Sequence, residues 1–150
     1  MATRYQGSPT ERQALDSYIK LVRAISSITT HIDQTTSLGK LKGSQFGVLE
    51  MLYHLGPLHQ KTIGEKLLVS KSNVVAIIDK LEKTALVKRE RSVEDRRCIF
   101  IHLTDSGRKK VDELLPGHVA SITTAMSALS HDEQQTLSTL CRKLGKHQIS

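Results

Sequence analysis

The stretch SKSNVVAIIDKLEKTALVKRERSVEDRRCIFIHL, residues 70–103, decides the fold of this chain. Its first four residues are polar, and Ser70 is a good N-cap for a helix. The apolar residues that follow fall three and four apart, which predicts one buried helix face. We therefore expect a helix from Ser70 to about Lys83 with four side chains facing inward: Val74, Ile77, Ile78 and Leu81.

The second half of the stretch predicts a β-hairpin. Leu86–Arg91 and Cys98–Leu103 are expected to be strands, joined by the charged turn Ser92–Arg97. The second strand alternates apolar and other residues with a period of two, which places three side chains on one face: Ile99, Ile101 and Leu103. A helix followed directly by such a hairpin is the order expected of a helix that enters the DNA major groove and a β-wing beside it.

Three helices are predicted before this stretch. Apolar side chains at three-and-four spacing predict a long amphipathic helix from Glu11 to about Ser37. A shorter helix, Gln45–Leu55, is closed by the Gly56-Pro57 pair, and a third runs from about His59 to Leu68. Only two or three residues separate the third helix from the fourth, which is helix-turn-helix spacing.

Two further helices follow the hairpin. Thr104 is expected to cap the first of them, and Ser130 with Glu133 predicts a capping box at the start of the last. The fold class is therefore mainly α with a small β-wing, a winged helix-turn-helix between N-terminal and C-terminal helices.

Length and charge limit the possible functions. At 150 residues the chain is expected to form a single domain, and helical chains of this size often complete their core by dimerising. The formal net charge is +7, and residues 61–110 hold 13 Lys or Arg against seven Asp or Glu. A basic segment of this kind attracts polyanions, either nucleic acid or an anionic membrane surface.

Several classes of protein are not expected. No apolar run approaches the roughly 18 to 20 residues of a membrane span, and no secretory signal is visible, so we expect a cytoplasmic protein without a membrane partner. Cys98 and Cys141 form no C-x-x-C motif and the histidines no H-x-x-x-H motif, so no metal site or cofactor is expected. Cys98 and His102 would lie about 13 Å apart on a strand, too far for a nucleophile and its base, and no catalytic residue is predicted.

Six short segments lie in the order and spacing of one known family. They are Gln45-Phe46 with Gly56-Pro57-Leu58, Leu67-Leu68-Val69-Ser70-Lys71, Ile78-Asp79-Lys80-Leu81-Glu82-Lys83, Leu86-Val87-Lys88-Arg89, Asp95-Arg96-Arg97, and Leu103-Thr104-x-x-Gly107. In the order and spacing of these segments the chain resembles the MarR family of bacterial winged-helix transcriptional regulators. The resemblance covers nearly the whole chain. The resemblance implies an obligate homodimer in which helices 11–37 and 105–147 interleave, with a DNA-binding lobe at 42–103 in each subunit. It also implies a pseudo-palindromic double-stranded operator.

Two positions depart from the family pattern. The family usually has glycine before Leu86, closing the recognition helix, whereas this chain has Ala85 and must cap that end without the residue that adopts a left-handed conformation at little cost. The family also commonly has threonine one turn into the recognition helix, where this chain has Val75. Val75 cannot donate a hydrogen bond but can touch a thymine methyl, so base preference is expected to differ.

The first turn of the recognition helix is the predicted DNA-reading element. Ser70, Lys71, Ser72 and Asn73 would all point side chains and free N–H groups at phosphates and base edges. The Asn73 amide suits adenine, because it can pair with N6 and N7 together. Plain helix capping is the alternative, and it accounts for Ser70 but not for three further polar residues.

The hairpin supplies a second set of candidates. Arg97 matches the family's wing arginine and would enter a narrow minor groove, with Asp95 holding one guanidinium and Arg96 on backbone phosphate. A solvated surface salt bridge is the alternative for this tip. Diffuse phosphate contacts, or charge that only aids solubility, are expected of three basic residues on the first strand: Lys88, Arg89 and Arg91.

The family resemblance further implies a repressor that a small ligand releases from DNA, with the ligand expected in a cleft between the dimer helices and the DNA-binding lobe. Four residues could line this cleft, although packing would explain them equally well: Tyr18, His31, Tyr53 and His118. The alternatives are a ligand-independent architectural DNA-binding protein, a cysteine-based redox-sensing regulator and a basic enzyme. Against the redox alternative, Cys98 is expected to be structural and Cys141 to be buried at the dimer interface. No catalytic constellation supports the enzyme.

Overall fold

The computed structural model describes residues 4–67 and 70–149, which fall into two compact units. Unit 1 holds residues 4–36 and 119–149, and unit 2 holds residues 37–118. Helices dominate and the hairpin is present, as the sequence predicts, and a third short strand makes the antiparallel sheet three-stranded. In chain order the elements are α1 (Pro9–Thr35), α2 (Gly43–Leu55), β1 (Leu58–His59), α3 (Gln60–Leu67), α4 (Lys71–Lys83), β2 (Val87–Arg91), β3 (Ile99–Leu103), α5 (Asp105–Met126) and α6 (His131–Ile149).

Helix α1 begins two residues earlier than the periodicity predicts. Ser8 caps it, because the Ser8 Oγ accepts from the Glu11 N–H at 3.2 Å and the Glu11 carboxylate accepts from the Ser8 N–H at 2.7 Å. These bonds lower the pKa of Glu11. Pro9 occupies the first helical position, where its missing N–H has no helical partner to lose. The start signal is thus the Ser-Pro-x-Glu pattern, which apolar spacing alone does not reveal.

Unit 2 is built around a closed apolar core. Helix α4 turns the predicted face inward, with Val74, Ile78 and Leu81 buried and Ile77 half-buried. Burying side chains of this size from water is the main stabilising contribution to such a unit. The fully or nearly fully buried apolar side chains are Phe46, Val48, Leu49, Leu52, Ile63, Val74, Ile78, Leu81, Leu86, Val87, Ile101 and Val111.

The sheet has the strand order β1-β3-β2. Strand β1 corrects the prediction that His59 begins the third helix: His59 pairs with Phe100 of β3, and α3 starts one residue later. Two residues are too few to show an alternation in sequence, so nothing marks β1 beforehand. Strands β2 and β3 form the expected hairpin, each beginning one residue later than predicted. The predicted end of the third helix, Leu68, lies outside the described residues.

The end of α4 is closed by a left-handed residue although no glycine is present. Ala85 has φ +60° itself, and the Leu86 N–H then donates to the Leu81 carbonyl at 3.0 Å. A residue with a Cβ pays about 1 to 2 kcal/mol for this conformation. The helix therefore ends in a left-handed residue even though that residue is alanine.

The start of α5 is bonded directly to that helix end. The Thr104 hydroxyl accepts from the Gly107 N–H at 2.9 Å, which confirms the predicted cap, and donates to the Ala85 carbonyl at 2.7 Å. A Cβ on Gly107 would overlap the Leu86 carbonyl oxygen and lie 2.7 Å from a Leu103 methyl. The Leu-Thr-x-x-Gly motif thus allows α5 to begin in contact with the end of α4.

Unit 1 consists of α1, the last part of α5, and α6. The capping box predicted for α6 is present, since the Ser130 Oγ accepts from the Glu133 N–H at 3.2 Å and the Glu133 carboxylate accepts from the Ser130 N–H at 2.8 Å. Among the described side chains of this unit, only Ser121 is buried, and its hydroxyl contacts that of Thr35. Large apolar side chains stay exposed along its helices: Tyr18, Val22, Ile25, Val119, Leu140 and Leu144.

Candidate DNA-binding surface

The first turn of α4 presents an uninterrupted polar surface. Ser70, Lys71, Ser72 and Asn73 are all exposed. The Ser70 Oγ accepts from the Asn73 N–H at 3.3 Å and lies 3.2 Å from the Ser72 Oγ, so the cap orders this turn. Capping uses the Ser70 oxygen and leaves the Lys71 and Asn73 side chains on the surface. Val75 follows them and is 40% exposed, so its side chain lies on the same surface.

The turn of the hairpin is held by its own backbone and short side chains. The Ser92 N–H donates to the Cys98 carbonyl and the Cys98 N–H to the Asp95 carbonyl, each at 2.9 Å. The Ser92 Oγ accepts from the Asp95 N–H at 3.3 Å. Cys98 is half-buried in this turn, and a structural role for its thiol stays a prediction.

The tip of the hairpin holds the ion pair that the sequence predicts. The Asp95 carboxylate accepts from the Arg97 Nε at 3.1 Å, from a terminal guanidinium nitrogen at 3.2 Å, and from the Arg97 backbone N–H at 3.0 Å. The Arg97 side chain, followed by its backbone N–H, lowers the pKa of Asp95. Arg97 is nevertheless 91% exposed, so its guanidinium is oriented without being covered.

Two other arginines of the hairpin differ in what they bond. Arg91 donates to the Arg96 carbonyl at 2.9 Å and so fastens the turn across its base, while the Arg96 side chain is exposed. Between them Val93 is 98% exposed. Its place in the turn agrees with the predicted turn Ser92–Arg97.

Lys88 is exposed on β2, as expected for a phosphate contact, but its neighbour Arg89 is not available for one. Arg89 forms ion pairs with Asp79 at 2.5 Å and Glu82 at 3.2 Å on α4, and its Nε donates to Gln60 at 3.2 Å. Neither of the two roles predicted for Arg89, a diffuse phosphate contact or charge that only aids solubility, includes these bonds within the protein. Alternation along β2 could have revealed which way Arg89 faces, because it lies two residues after the buried Val87.

The two candidate ligand residues of unit 2 have partners within that unit. The Tyr53 hydroxyl donates to Asp112 at 2.7 Å, which raises the pKa of Tyr53, and the Arg108 guanidinium lies 5.4 Å from the Tyr53 ring centre. The ring of His118 meets that of Phe46 edge-on at 5.0 Å, and its Nε2 lies 3.8 Å from the Glu50 carboxylate. The other ring nitrogen of His118 is buried without a hydrogen bond among the described residues.

The other two candidate ligand residues belong to unit 1. Tyr18 is 64% exposed on α1. His31, further along α1, is half-buried, and its Nε2 has no hydrogen-bond partner in the described part of the chain. The four candidates thus lie two in each unit, and a shared ligand site stays a prediction.

The described residues contain no group of three or more His, Cys, Asp or Glu side chains arranged to hold a metal ion. None of the helices described is long and apolar enough to cross a membrane.

Comparison with known proteins gives a consistent result. The model of the MarR family matches residues 41–99. The HTH-type transcriptional regulator YkoM of Bacillus subtilis is 37% identical over 90% of this chain and 88% of its own. The HTH-type transcriptional regulator MhqR of the same organism is 32% identical over 89% of this chain and 92% of its own.

Solved structures agree in fold. Sco3205, a MarR family transcriptional regulator from Streptomyces coelicolor crystallised with DNA, superposes with a TM-score of 0.81 at 22% identity, covering 96% of this chain and 91% of that one. BpsR of Bordetella bronchiseptica, whose DNA binding is regulated by 6-hydroxynicotinic acid, gives a TM-score of 0.79 at 25% identity, covering 87% and 98%.

Proposed function

The chain belongs to the MarR family of DNA-binding transcriptional regulators and is not an enzyme, and on this premise we propose that it is a cytoplasmic, homodimeric repressor. It would occupy a pseudo-palindromic promoter site and leave it when a small ligand binds. Each subunit would place the first turn of α4 in the major groove and the hairpin tip in the neighbouring minor groove.

One observation supports the DNA contacts most directly. Within unit 2 the exposed polar first turn of α4 and the exposed, oriented Arg97 belong to the same compact body. Asn73 would pair with a base edge, Lys71 and Lys88 would meet phosphates, and Arg97 would enter the minor groove.

Homodimerisation is proposed from unit 1. Its described helices bury no apolar side chain, although Ile25 and Leu140 are each 57% exposed. Helices that leave apolar side chains of this size exposed are often covered by a partner, and a second copy is the commonest one. Sedimentation at micromolar concentration should give twice the 16.7 kDa of one chain. A single species at the monomer mass would refute the dimer.

Specific DNA binding is tested by gel shift on the DNA upstream of the protein's own gene. Binding should survive about 100-fold excess of unrelated duplex, since specific sites are usually at least 10³ tighter than random ones. Loss of the complex under competition would favour the ligand-independent architectural alternative. Affinity should also fall by about 10³ to 10⁵ between 50 and 200 mM salt if the dimer neutralises roughly 6 to 10 phosphates.

Base readout is separated from phosphate contact by two matched variants. Asn73→Ala should cost about 1 to 3 kcal/mol on the operator and little on random duplex, because only a base contact depends on sequence. Lys88→Ala should weaken binding to both by similar factors. Equal losses on both duplexes for Asn73→Ala would remove the first turn of α4 as the reading element.

Release by a ligand is supported by the family and by two buried ring nitrogens without hydrogen bonds in the described residues, His31 Nε2 and His118 Nδ1. A buried polar atom of this kind is stabilised by any ligand that bonds it. Because 6-hydroxynicotinic acid regulates the related BpsR, it is the first probe to titrate against the operator complex. His118→Phe, which keeps a ring beside Phe46, should lower sensitivity to an active ligand without loosening the free protein from DNA.

A further inference from the structure

Arg89 differs from the other basic residues of the hairpin in being turned inward. Its side chain is 22% exposed, whereas that of Arg97 at the tip is 91% exposed. It stands in β2 opposite Ile101, which is fully buried. An arginine this far buried needs hydrogen-bonding and charged partners, because burying an unpaired guanidinium would be strongly unfavourable.

The partners of Arg89 lie along one face of α4. Asp79 and Glu82 pair with one terminal nitrogen, and the Val75 carbonyl lies 3.4 Å from the other. Positions 75, 79 and 82 are four and three apart, so they form a row about 10 Å long. The backbone N–H of Arg89 also donates to Glu82, at 3.0 Å. One residue of the hairpin thus bonds three successive turns of α4.

A second helix is included in the same contact. The Arg89 Nε donates to the side-chain oxygen of Gln60, the first residue of α3, at 3.2 Å. The guanidinium is planar and its donors point in fixed directions, so acceptors on α3 and α4 define both its position and its angle. A lysine ammonium could satisfy a carboxylate but could not bond all of these acceptors at once.

We propose that Arg89 is a positioning residue that sets the separation between the first turn of α4 and the hairpin tip. The proposal rests on the proposed function, in which these two parts contact neighbouring grooves. Their separation then fixes how many base pairs lie between the major-groove contact of Asn73 and the minor-groove contact of Arg97. Since successive base pairs are about 3.4 Å apart, a hairpin free to shift by that amount would accept a neighbouring register.

Charge attraction to DNA does not explain Arg89. Its charge is opposed by two carboxylates in direct contact, so the group of three carries no positive charge toward DNA. Arg89→Lys is therefore the informative variant, because it keeps the charge and removes the planar geometry. Lys88→Gln is the matched control, since it removes a charge from the adjacent exposed position and leaves every Arg89 contact in place.

The experiment measures tolerance to spacing. Wild-type protein first selects its preferred duplexes from a randomised library, which gives the base-specific core and any flanking A·T-rich element. Affinities are then measured for a series in which that element is moved one base pair inward or outward. Wild type should lose about fivefold or more on each shifted duplex, the usual minimum for a misplaced contact. Arg89→Lys should lose less than twofold across the series, and Lys88→Gln should weaken on all duplexes while keeping the wild-type ratio.

The outcomes separate the inference from the proposed function. If wild type selects no consensus, the proposed function fails. If wild type selects one and Arg89→Lys keeps the full penalty for shifted spacing, the inference is overturned and the function stands. If Arg89→Lys does not fold, Asp79→Asn and Glu82→Gln take its place, because each removes one acceptor charge from the same contact. Both variants must then lose less affinity than wild type on the shifted duplexes. A full wild-type loss in both would also overturn the inference.

Discussion

The two units of this protein use their apolar side chains in opposite ways. In unit 2 the apolar residues of α2, α3, α4 and the sheet meet one another, and seven large ones have 1% exposure or less: Phe46, Leu49, Leu52, Ile63, Ile78, Leu81 and Ile101. In unit 1 the same types of residue recur at the same helical spacing, yet none of the described ones is buried.

The difference shows that amphipathic spacing alone does not tell what a helix face meets. In unit 2 the partner surface is supplied by the same chain within a few tens of residues. In unit 1 the described helices leave their apolar faces open, which is the condition of surfaces that pack against another molecule. Under the proposed function, the first unit would carry assembly and the second recognition.

The largest expected effect is on stability. It is seen by comparing truncation of a buried side chain in unit 2 with truncation of an exposed one in unit 1. Ile78→Ala in unit 2 should lower the free energy of unfolding by about 2 to 5 kcal/mol, because it removes fully buried methyl groups and leaves a cavity. Ile25→Ala in unit 1 should act through association, so its melting temperature should depend on protein concentration more steeply than that of wild type. Thermal melts over a hundredfold concentration range make the comparison. A loss for Ile25→Ala as large as that for Ile78→Ala, at every concentration, would show that unit 1 has its own core.

The next largest effect concerns packing in unit 2. It compares the change in stability caused by alanine at two glycines of α5. Gly107→Ala should destabilise by about 1 to 3 kcal/mol, because its Cβ overlaps the Leu86 carbonyl. Gly117→Ala is the control: nothing lies within 4 Å of its Cβ, so the change should be neutral or stabilise the helix by up to about 1 kcal/mol. Chemical denaturation reports both values. Equal effects would contradict the close approach between α5 and the end of α4.

A smaller effect concerns backbone conformation. Ala85→Gly should stabilise by about 1 kcal/mol, because Ala85 sits at φ +60° and glycine adopts that conformation without strain. The reverse exchange is available at Gly39, which has φ +61° and open space at its Cβ, so Gly39→Ala should destabilise by a similar amount. If both variants move stability in the same direction, left-handed strain is not what distinguishes these sites.

The smallest effect concerns the exposed tip of the hairpin, where an ion pair and not apolar packing joins Asp95 to Arg97. Because the Arg97 guanidinium lowers the pKa of Asp95, the pair is complete above the ordinary range of an aspartate and is lost as pH falls through the lowered value. Arg97→Ala should raise the pKa of Asp95 toward its ordinary value. Carboxyl-carbon NMR titration of the two proteins measures this shift. An unchanged titration would mean that Asp95 does not hold Arg97 in solution.

The order of the main elements could be predicted from the sequence, because each long element carries its own signal. The α4 face at Val74, Ile78 and Leu81 and the Ser130 capping box are local patterns, and both are confirmed. Strand β1 has no such signal: it exists only because β3 offers it a partner. The two residues of β1 alone do not predict this pairing.

The candidate site also contains parts with a local sequence signal and parts that depend on residues distant in the chain. The polar first turn of α4 and the Asp95–Arg97 pair involve residues close in sequence, so spacing and chemistry indicate them. Alternation along β2 can indicate which way Arg89 faces, but its partners include Gln60, 29 positions away, and spacing does not reveal them. A count of basic residues assigns it to DNA, whereas its acceptors on two helices assign it to the protein.

The division of α4 into three rows also bears on protein engineering. One row packs into the core, a second holds Arg89, and the first turn, residues 71–73, does neither. A designer who wants a different operator could therefore randomise residues 71–73 alone. The side chain at Val75 could be varied with them, since Arg89 bonds only its backbone carbonyl. Grafting a whole helix from another regulator would instead remove Asp79 and Glu82, and the graft would need to bring equivalent acceptors with it.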